Sequence, residues 1–286
     1  MITNETYQLA DGAPIPKLGL GTWLIDDDKA AQAVRDAVEC GYRLIDTAQA
    51  YGNEVGVGEG VRTASVPRDQ LFVGSKIAAE IKDYDGAKRS IDETLSKMGL
   101  DYLDQMIIHS PEPWGHFHNG SNHYYQGNLE VWRALEEAKE VGKVREIGVS
   151  NFLEDDLENI IGNSSEAPAV NQILFHVGHT PRDLVTFCQA HNILVEAYSP
   201  VAHGALLHDS QLEAMAGRYG VSVPQLCIRY VIQCGAVALP KTANPEHMRA
   251  NAQLDFVISG EDMDYLAGAS EVDYGADSAF PVFSGR

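Results

Sequence analysis

The sequence predicts an α/β fold, a (β/α)8 TIM barrel with an N-terminal β-hairpin, and two observations carry that expectation. Strand-like apolar runs alternate with helix-like stretches about eight times, as βα repeats that close on themselves do. Three of the early runs also end on ionisable groups: Tyr42 to Asp46, with Tyr51 just beyond it, Leu71 to Lys76, and Gln105 to His109. Strand C-termini of a parallel barrel converge on one face, so groups distant in sequence become neighbours there. No linker rich in Pro, Ser or Gly divides the chain, and residues 1–286 are expected to form a single domain.

The elements follow in order. Within Tyr7 to Pro16, Asp11-Gly12 lies between two short extended pieces and reads as a hairpin turn. Strands are expected near 18 to 21, 42 to 46, 71 to 76, 104 to 109, 144 to 149, 169 to 173, 193 to 198 and 236 to 240. Apolar residues at helical spacing mark Asp28 to Cys40, Gly86 to Met98, Leu129 to Val141, Pro181 to His191 and Gln211 to Tyr219 as an outer ring of helices. Pro111 to Gly127 and the tail from Glu271 to Arg286 lack that periodicity and are expected to be loops over a pocket. Gly56, Gly58 and Gly60 do not have the spacing of a dinucleotide-binding loop and read as sites of close helix packing.

A length of 286 residues suits one barrel, for which about 250 is typical. With 44% hydrophobic and 22% charged residues the composition is that of a globular protein, not a disordered or membrane one. The first residues lack a signal peptide's basic start and apolar core, and no run reaches the ~20 apolar residues of a membrane span. The expected address is the cytoplasm. Cys40, Cys188, Cys227 and Cys234 form no CxxC pair and read as buried free thiols. A net charge of −20 repels nucleic-acid phosphates and anionic lipid, which argues against both as partners.

A phenol beside an ammonium and an imidazole makes a proton donor. The charge of Lys76 is expected to stabilise the Tyr51 phenolate and lower the phenol from its ordinary value of about 10, toward the range useful for general acid catalysis. Asp46 would satisfy the need of a buried lysine for a partner. Taken singly, each residue has an ordinary reading as a cap, a packed ring or a satisfied polar group. As an ordered set on successive strand ends they point to one site.

The segments GLGTW at 19 to 23, LIDTAQAYGNE at 44 to 54, SKI at 75 to 77, IIHSP at 107 to 111, GVSNF at 148 to 152, VNQ at 170 to 172, EAYSP at 196 to 200 and LPKT at 239 to 242 resemble the aldo-keto reductases of the bacterial, 2,5-diketogluconate reductase-like type. They occur in family order across nearly the whole chain. The resemblance implies a monomeric barrel whose hairpin plugs the bottom, and which reduces a small-molecule carbonyl with a nicotinamide cofactor. It implies catalytic roles for Asp46, Tyr51, Lys76 and His109: Tyr51 as acid, Lys76 tuning it, Asp46 holding Lys76, and His109 orienting the carbonyl oxygen. It also implies cofactor contacts at Thr22, Ser150, Asn151, Gln172, Tyr198, Ser199, Lys241, Thr242 and Asn251.

The family binds the adenosine 2′-phosphate of NADP with Lys241-Thr242 and a downstream Arg, and His247 stands where that Arg is expected. An imidazole lacks the guanidinium fork and is largely neutral near pH 7, so NADP(H) preference at reduced strength is expected, with NAD(H) use possible. Arg249 lies two residues along, on another helix face. For the substrate, Trp23 matches a pocket tryptophan. Ser110 stands where the family often has Trp, which widens one wall unless Trp114 folds back. Phe117, Tyr124, Tyr125, Phe280 and Phe283 are further wall candidates.

Three alternatives stay open. The same residues would catalyse alcohol oxidation by NAD(P)+ as the physiological direction. His109, His116, His118 and His123 could serve a metal-dependent barrel hydrolase, although three of them share one loop without strand-anchored carboxylates. A non-catalytic cofactor-sensing module would need no activated phenol. No metal site is expected.

Overall fold

Each of the eight expected strands forms, and together they make one parallel ring. A computed structural model describes residues 1–118 and 122–284. The ring consists of β3 (Gly19–Gly21), β4 (Leu44–Asp46), β5 (Phe72–Ile77), β6 (Leu103–Ile108), β7 (Val144–Ser150), β8 (Val170–Leu174), β9 (Leu194–Tyr198) and β10 (Val237–Leu239), paired in chain order. The first and last strands meet: Ala238 N donates to Lys17 O at 2.9 Å and Gly21 N to Pro240 O at 3.1 Å, which closes the barrel.

Ahead of the ring, β1 (Thr6–Gln8) and β2 (Pro14–Pro16) pair antiparallel around Asp11-Gly12, where Gly12 takes a left-handed φ of +89°. The hairpin buries Leu9 and Ile15 against Leu44, Ala169, Val170 and Val237, residues at the N-terminal ends of their strands. The hairpin therefore plugs the bottom of the barrel. Burial of two such side chains stabilises the closed end by about 1.5–3 kcal/mol each.

The helices form the outer ring: α1 (Asp27–Glu39), α2 (Glu54–Arg62), α3 (Tyr84–Met98), α4 (Tyr125–Glu140), α5 (Glu154–Asn163), α6 (Arg182–Ala190), α7 (Ser210–Tyr219), α8 (Val223–Gln233), α9 (Pro245–Asn251) and α10 (Gly260–Ala267). Their inward stripes bury Val34, Ile91, Trp132, Leu157, Cys188 and Ile228 against the strands. The glycines of α2 are sites of close approach. A Cβ at Gly56 would lie 2.0 Å from Asp27 O, and one at Gly58 2.2 Å from Met98 O. Of the thiols, all unpaired, Cys188 and Cys227 are buried and Cys40 and Cys234 half-buried.

Periodicity alone gives no bounds for α2, α5, α8, α9 and α10. In α8 the buried face is wide: Val223, Leu226, Cys227, Ile228, Tyr230, Val231 and Ile232 are buried, and the polar side is reduced to a narrow stripe of Gln225, Arg229 and Gln233. The expected loops are also shorter than read. Helix α4 begins at Tyr125, and 3₁₀ turns form at Trp114–His116, Gly275–Ala279 and Pro281–Phe283. Residues 119–121 and 285–286 of those loops lie outside the described residues. Among the described residues no helix is long and apolar enough to cross a membrane.

Candidate active site

Strand C-termini deliver the polar groups to one mouth. Asp46 ends β4, Lys76 sits near the end of β5, His109 follows β6, Ser150 ends β7 with Asn151 next, Gln172 lies on β8, and Tyr198 ends β9 with Ser199 next. Thr22 and Trp23 follow β3, and Lys241 and Thr242 follow β10. A cavity of about 980 Å³ opens there. It is lined by Thr22, Trp23, Asp46, Tyr51, His109, Trp114, Ser150, Asn151, Gln172, Tyr198, Ser199, Lys241, Thr242, His247 and Asn251. Lys76 lies behind that wall, 1% exposed.

Every ammonium hydrogen of Lys76 has an acceptor: Asp46 Oδ1 and Oδ2 at 2.7 Å each, and Thr47 O at 2.8 Å. Burial acts to lower Lys76, but Asp46 and Tyr51 outweigh it and hold the amine above its ordinary value. Tyr51 ends the 3₁₀ turn Gln49–Tyr51, which Gly52 terminates at φ +70°. Lys76 Nζ stands 4.9 Å from the Tyr51 ring centroid. Even so, the phenol is raised above its ordinary value, contrary to the lowering expected from the sequence. Burial is the larger effect, Lys76 opposes it, and Asp46 adds to it. The sequence shows the charged neighbour but not the depth.

His109 is held well below its ordinary value, by burial first and by the charge of Lys76 second, so it is a neutral imidazole. Its ring centroid lies 5.6 Å from that of Tyr51. A phenol and a neutral imidazole thus share one wall above a paired lysine. That arrangement can give a proton to an oxygen placed between them.

The next wall is a hydrogen-bonded relay of fixed donors. Tyr198 OH donates to Asn151 Oδ1 at 2.7 Å. Asn151 Nδ2 donates to His109 O and Ser150 Oγ at 3.0 Å each, and Ser150 Oγ to Gln172 O at 2.8 Å. Asn151 and Ser199 are held at left-handed φ values of +62° and +50°, strain of the kind that clusters at functional sites. Gln172 Nε2 donates to Asp46 Oδ1 at 2.9 Å and Glu196 Oε2 at 2.8 Å, so only its carbonyl oxygen is uncommitted. The Thr22 hydroxyl is also spent, on Asp46 O at 2.9 Å.

At the far end Lys241, Thr242, His247 and Asn251 line the cavity, whereas Arg249, exposed on α9, does not. The substrate wall departs from expectation at Ser110, which is fully buried and away from the cavity. Its carbonyl accepts from Lys82 Nζ at 2.7 Å, and that anchor turns the residue inward. Trp114 does fold back, its ring edge-on to His109 with centroids 5.0 Å apart. Phe280 lines the cavity and packs on Trp23 at 4.9 Å. Phe117 and Phe283 stand behind Trp114 and Trp23, while Tyr124 and Tyr125 pair with His116 and His123 outside the cavity. Those four are therefore not walls. Among the described residues no three His, Cys, Asp or Glu side chains converge as a metal site would require.

Three residues at the site carry no expectation from the sequence. Asn53 bridges two mouth loops: it accepts from Thr47 Oγ1 at 2.7 Å and donates to Thr22 O at 2.9 Å and Ile25 O at 3.0 Å. His203 lines the cavity and meets Asp277 of the tail at 2.5 Å. Glu196 is buried inside the barrel. Its signal was available, because it shares strand parity with Tyr198 and so must face inward.

The chain is an oxidoreductase: residues 17–271 match the aldo/keto reductase family, to which it belongs. It is 37% identical over 265 residues to a glyoxal reductase of Bacillus subtilis (strain 168), covering 92% of each chain. It is 37% identical over 269 residues to 2,5-diketo-D-gluconic acid reductase B of Corynebacterium sp. (strain SHS752001), again covering 92% of each. A solved Bombyx mori aldo-keto reductase in complex with NADP superposes with a TM-score of 0.84 at 31% identity, over 98% of both chains.

Proposed function

We propose that the protein reduces small aldehydes and ketones to alcohols with NADPH, and that Tyr51 is the general acid. The observation that carries this reading is the cluster of Tyr51, neutral His109 and the Asp46-bound Lys76 at the wall of one cavity. The names of the two reductase relatives and the NADP complex of the Bombyx mori protein support it.

The residues present fit a nicotinamide dinucleotide. The Tyr198 ring is pinned through its hydroxyl and offers a flat face, and the uncommitted carbonyl of Gln172 can accept from a carboxamide. Lys241, Thr242, His247 and Asn251 suit the adenosine end. Bound there, the cofactor supplies the hydride. His109, neutral, can donate a ring N–H to the carbonyl oxygen and orient it. Tyr51 gives its hydroxyl proton to that oxygen as the carbon becomes tetrahedral, and Lys76 stabilises the phenolate that remains. Asp46 keeps Lys76 in place. Trp23, Trp114 and Phe280 exclude water and bound the substrate.

The protonated phenol is the form that carbonyl reduction uses, and the same group run in reverse would serve alcohol oxidation, the direction being set by the ratio of reduced to oxidised cofactor. With His247 for the family's Arg and Arg249 off the wall, Lys241 is, among the described residues, the one fixed cation lining the cavity, so NADPH leads NADH by a reduced margin. The charge of −20 supports a monomer without nucleic-acid partners, and a cytoplasmic address is part of the same reading. Initial rates of NADPH and NADH oxidation with an aromatic aldehyde test the reading; no turnover across several carbonyls would overturn it.

A further inference from the structure

Beneath the proposed catalytic group lies a second buried carboxylate that the chemistry above does not use. Glu196 on β9 is 1% exposed and points into the barrel. Its Oε2 accepts from Gln172 Nε2 at 2.8 Å and from Gln105 Nε2 at 3.2 Å. The same Gln172 nitrogen donates to Asp46 Oδ1 at 2.9 Å, so one amide bridges two carboxyl groups. Lys76 is fully spent on Asp46 and Thr47. Glu196 Oε1 and Gln105 Oε1 are both buried without a partner.

The inventory of charges decides what Glu196 can be. Asp46 on β4 and Lys76 on β5 already cancel, Gln105 on β6 and Gln172 on β8 are neutral, and the neighbouring β10 contributes apolar Val237 and Leu239. An ionised Glu196 would be a buried charge with no cation of its own, beside another carboxylate. A hydroxyl at Oε1 removes that charge and supplies a donor to a cluster that holds two orphaned acceptors.

We propose that Glu196 is a positioning residue for the reductase site, one that works as a neutral carboxylic acid: it fixes the amide of Gln172 beneath Asp46 and keeps a second negative charge away from the Asp46–Lys76–Tyr51 chain. This rests on the reductase reading above. The bridge dictates which way the Gln172 amide faces, with its NH2 toward the carboxyl groups and its carbonyl oxygen left for the cavity. Ionisation adds a negative charge below Lys76, opposes its stabilisation of the phenolate and makes Tyr51 a weaker acid. Consistent with this, burial first and Asp46 second push Glu196 up to about 7, so the change falls within the working pH range.

Two measurements test it. The first is carboxyl-carbon NMR of the glutamate-labelled free protein between pH 4 and 9. Glu146, on the barrel's other end, is also pushed up to about 7, so spectra of Glu196→Gln and Glu146→Gln assign the two signals. The expected result is a Glu196 carboxyl that ionises near neutrality; ionisation in the ordinary range near 4 overturns the proposal. The second is the pH profile of kcat/KM for aldehyde reduction at saturating NADPH. The wild type should fall by roughly three- to tenfold through the ionisation of Glu196, and Glu196→Gln should lose that step while Glu196→Leu, which removes the acceptor as well, should also raise KM for the cofactor. A merely structural role would lower the melting temperature of both variants and leave the shape of the profile unchanged, which overturns the proposal. The NMR titration needs no turnover, so an inactive wild type, which would defeat the reductase reading, is distinguishable from a Glu196 that is simply ionised.

Discussion

Trp114 stands edge-on to His109, with ring centroids 5.0 Å apart and planes at 85°, and so rebuilds from the following loop the wall that Ser110 does not supply. The tryptophan sits on a 3₁₀ turn and not on a strand end, so the pocket keeps an aromatic wall supplied by a loop. An edge contact of this kind contributes about 0.5–1.5 kcal/mol beyond buried area. Trp114→Ala should therefore lower kcat/KM for an aromatic aldehyde by roughly two- to tenfold. Bulky ketones should lose less. Steady-state kinetics with a matched aldehyde and ketone pair would show this, and an equal loss for both would remove Trp114 from the pocket wall.

Removing the Tyr51 hydroxyl should separate chemistry from binding. Tyr51→Phe is expected to cost about 10²–10⁴ in kcat, the usual contribution of a positioned acid. NADPH affinity, read by quenching of tryptophan fluorescence, should stay within experimental error. Retained turnover would assign the proton to another group.

Breaking the buried pair should cost stability as well as rate. Lys76→Met leaves Asp46 uncompensated at 6% exposure, with only the Gln172 bond to hold it, and is expected to destabilise the fold by about 3–5 kcal/mol. Urea unfolding of Lys76→Met and of the double variant with Asp46→Asn would check this. The double variant should recover part of the loss, because no unpaired charge remains. Since Lys76 is raised in the fold, the pair's contribution is present below the unfolded value of about 10.4 and is lost as pH rises through the folded value.

Acid should weaken the fold through a histidine away from the chemistry. His176 is fully buried, with Nδ1 on Val177 O at 2.7 Å and Nε2 on Tyr274 OH at 2.6 Å, a pattern that suits the neutral ring. Burial lowers it to about 4. The unfolded chain takes up the proton near 6.5, so stability is intact above that value and falls as pH drops toward 4. The urea midpoint should decline across that window, and His176→Gln should flatten the decline. An unchanged slope in the variant would place the acid sensitivity elsewhere.

At the adenosine end, His247→Arg should tighten NADPH by roughly tenfold while leaving NADH within about twofold, as a guanidinium adds a charge-assisted contact that only the 2′-phosphate can use. Fluorescence titration with both nucleotides would show the divergence. Equal tightening of both would mean that His247 does not face the phosphate.

Much of this molecule was legible because the relevant signals are local. Apolar runs of strand length, each with a polar residue at its C-terminal end, specify both the barrel and the face on which Asp46, His109, Ser150 and Tyr198 meet. What escaped depends on direction and depth. Whether Ser110 faces inward is decided by Lys82, a residue on a different loop. The sign of the Tyr51 shift depends on how much water reaches the ring, which no neighbour in sequence reports. Asn53 and Glu196 lie inside recognisable segments, but their partners come from elsewhere in the chain, Thr22 from the loop after β3 and Gln105 and Gln172 from other strands. Helix α8 sets a wide buried face beside a narrow polar stripe of Gln225, Arg229 and Gln233, a weak periodic signal.

The seam at which Lys17 and Gly21 meet Ala238 and Pro240 has a consequence for how the molecule is made. A ribosome delivers the N-terminal staves long before the final one, so during synthesis β3 waits as an unpaired margin with its amides open to stray β-pairing. The growing chain becomes safe from edge-to-edge association only when the last stave has emerged and docked. A premature stop upstream of Val237 would leave two raw margins, and such a fragment is expected to collect in inclusion bodies more readily than to persist as a smaller soluble protein.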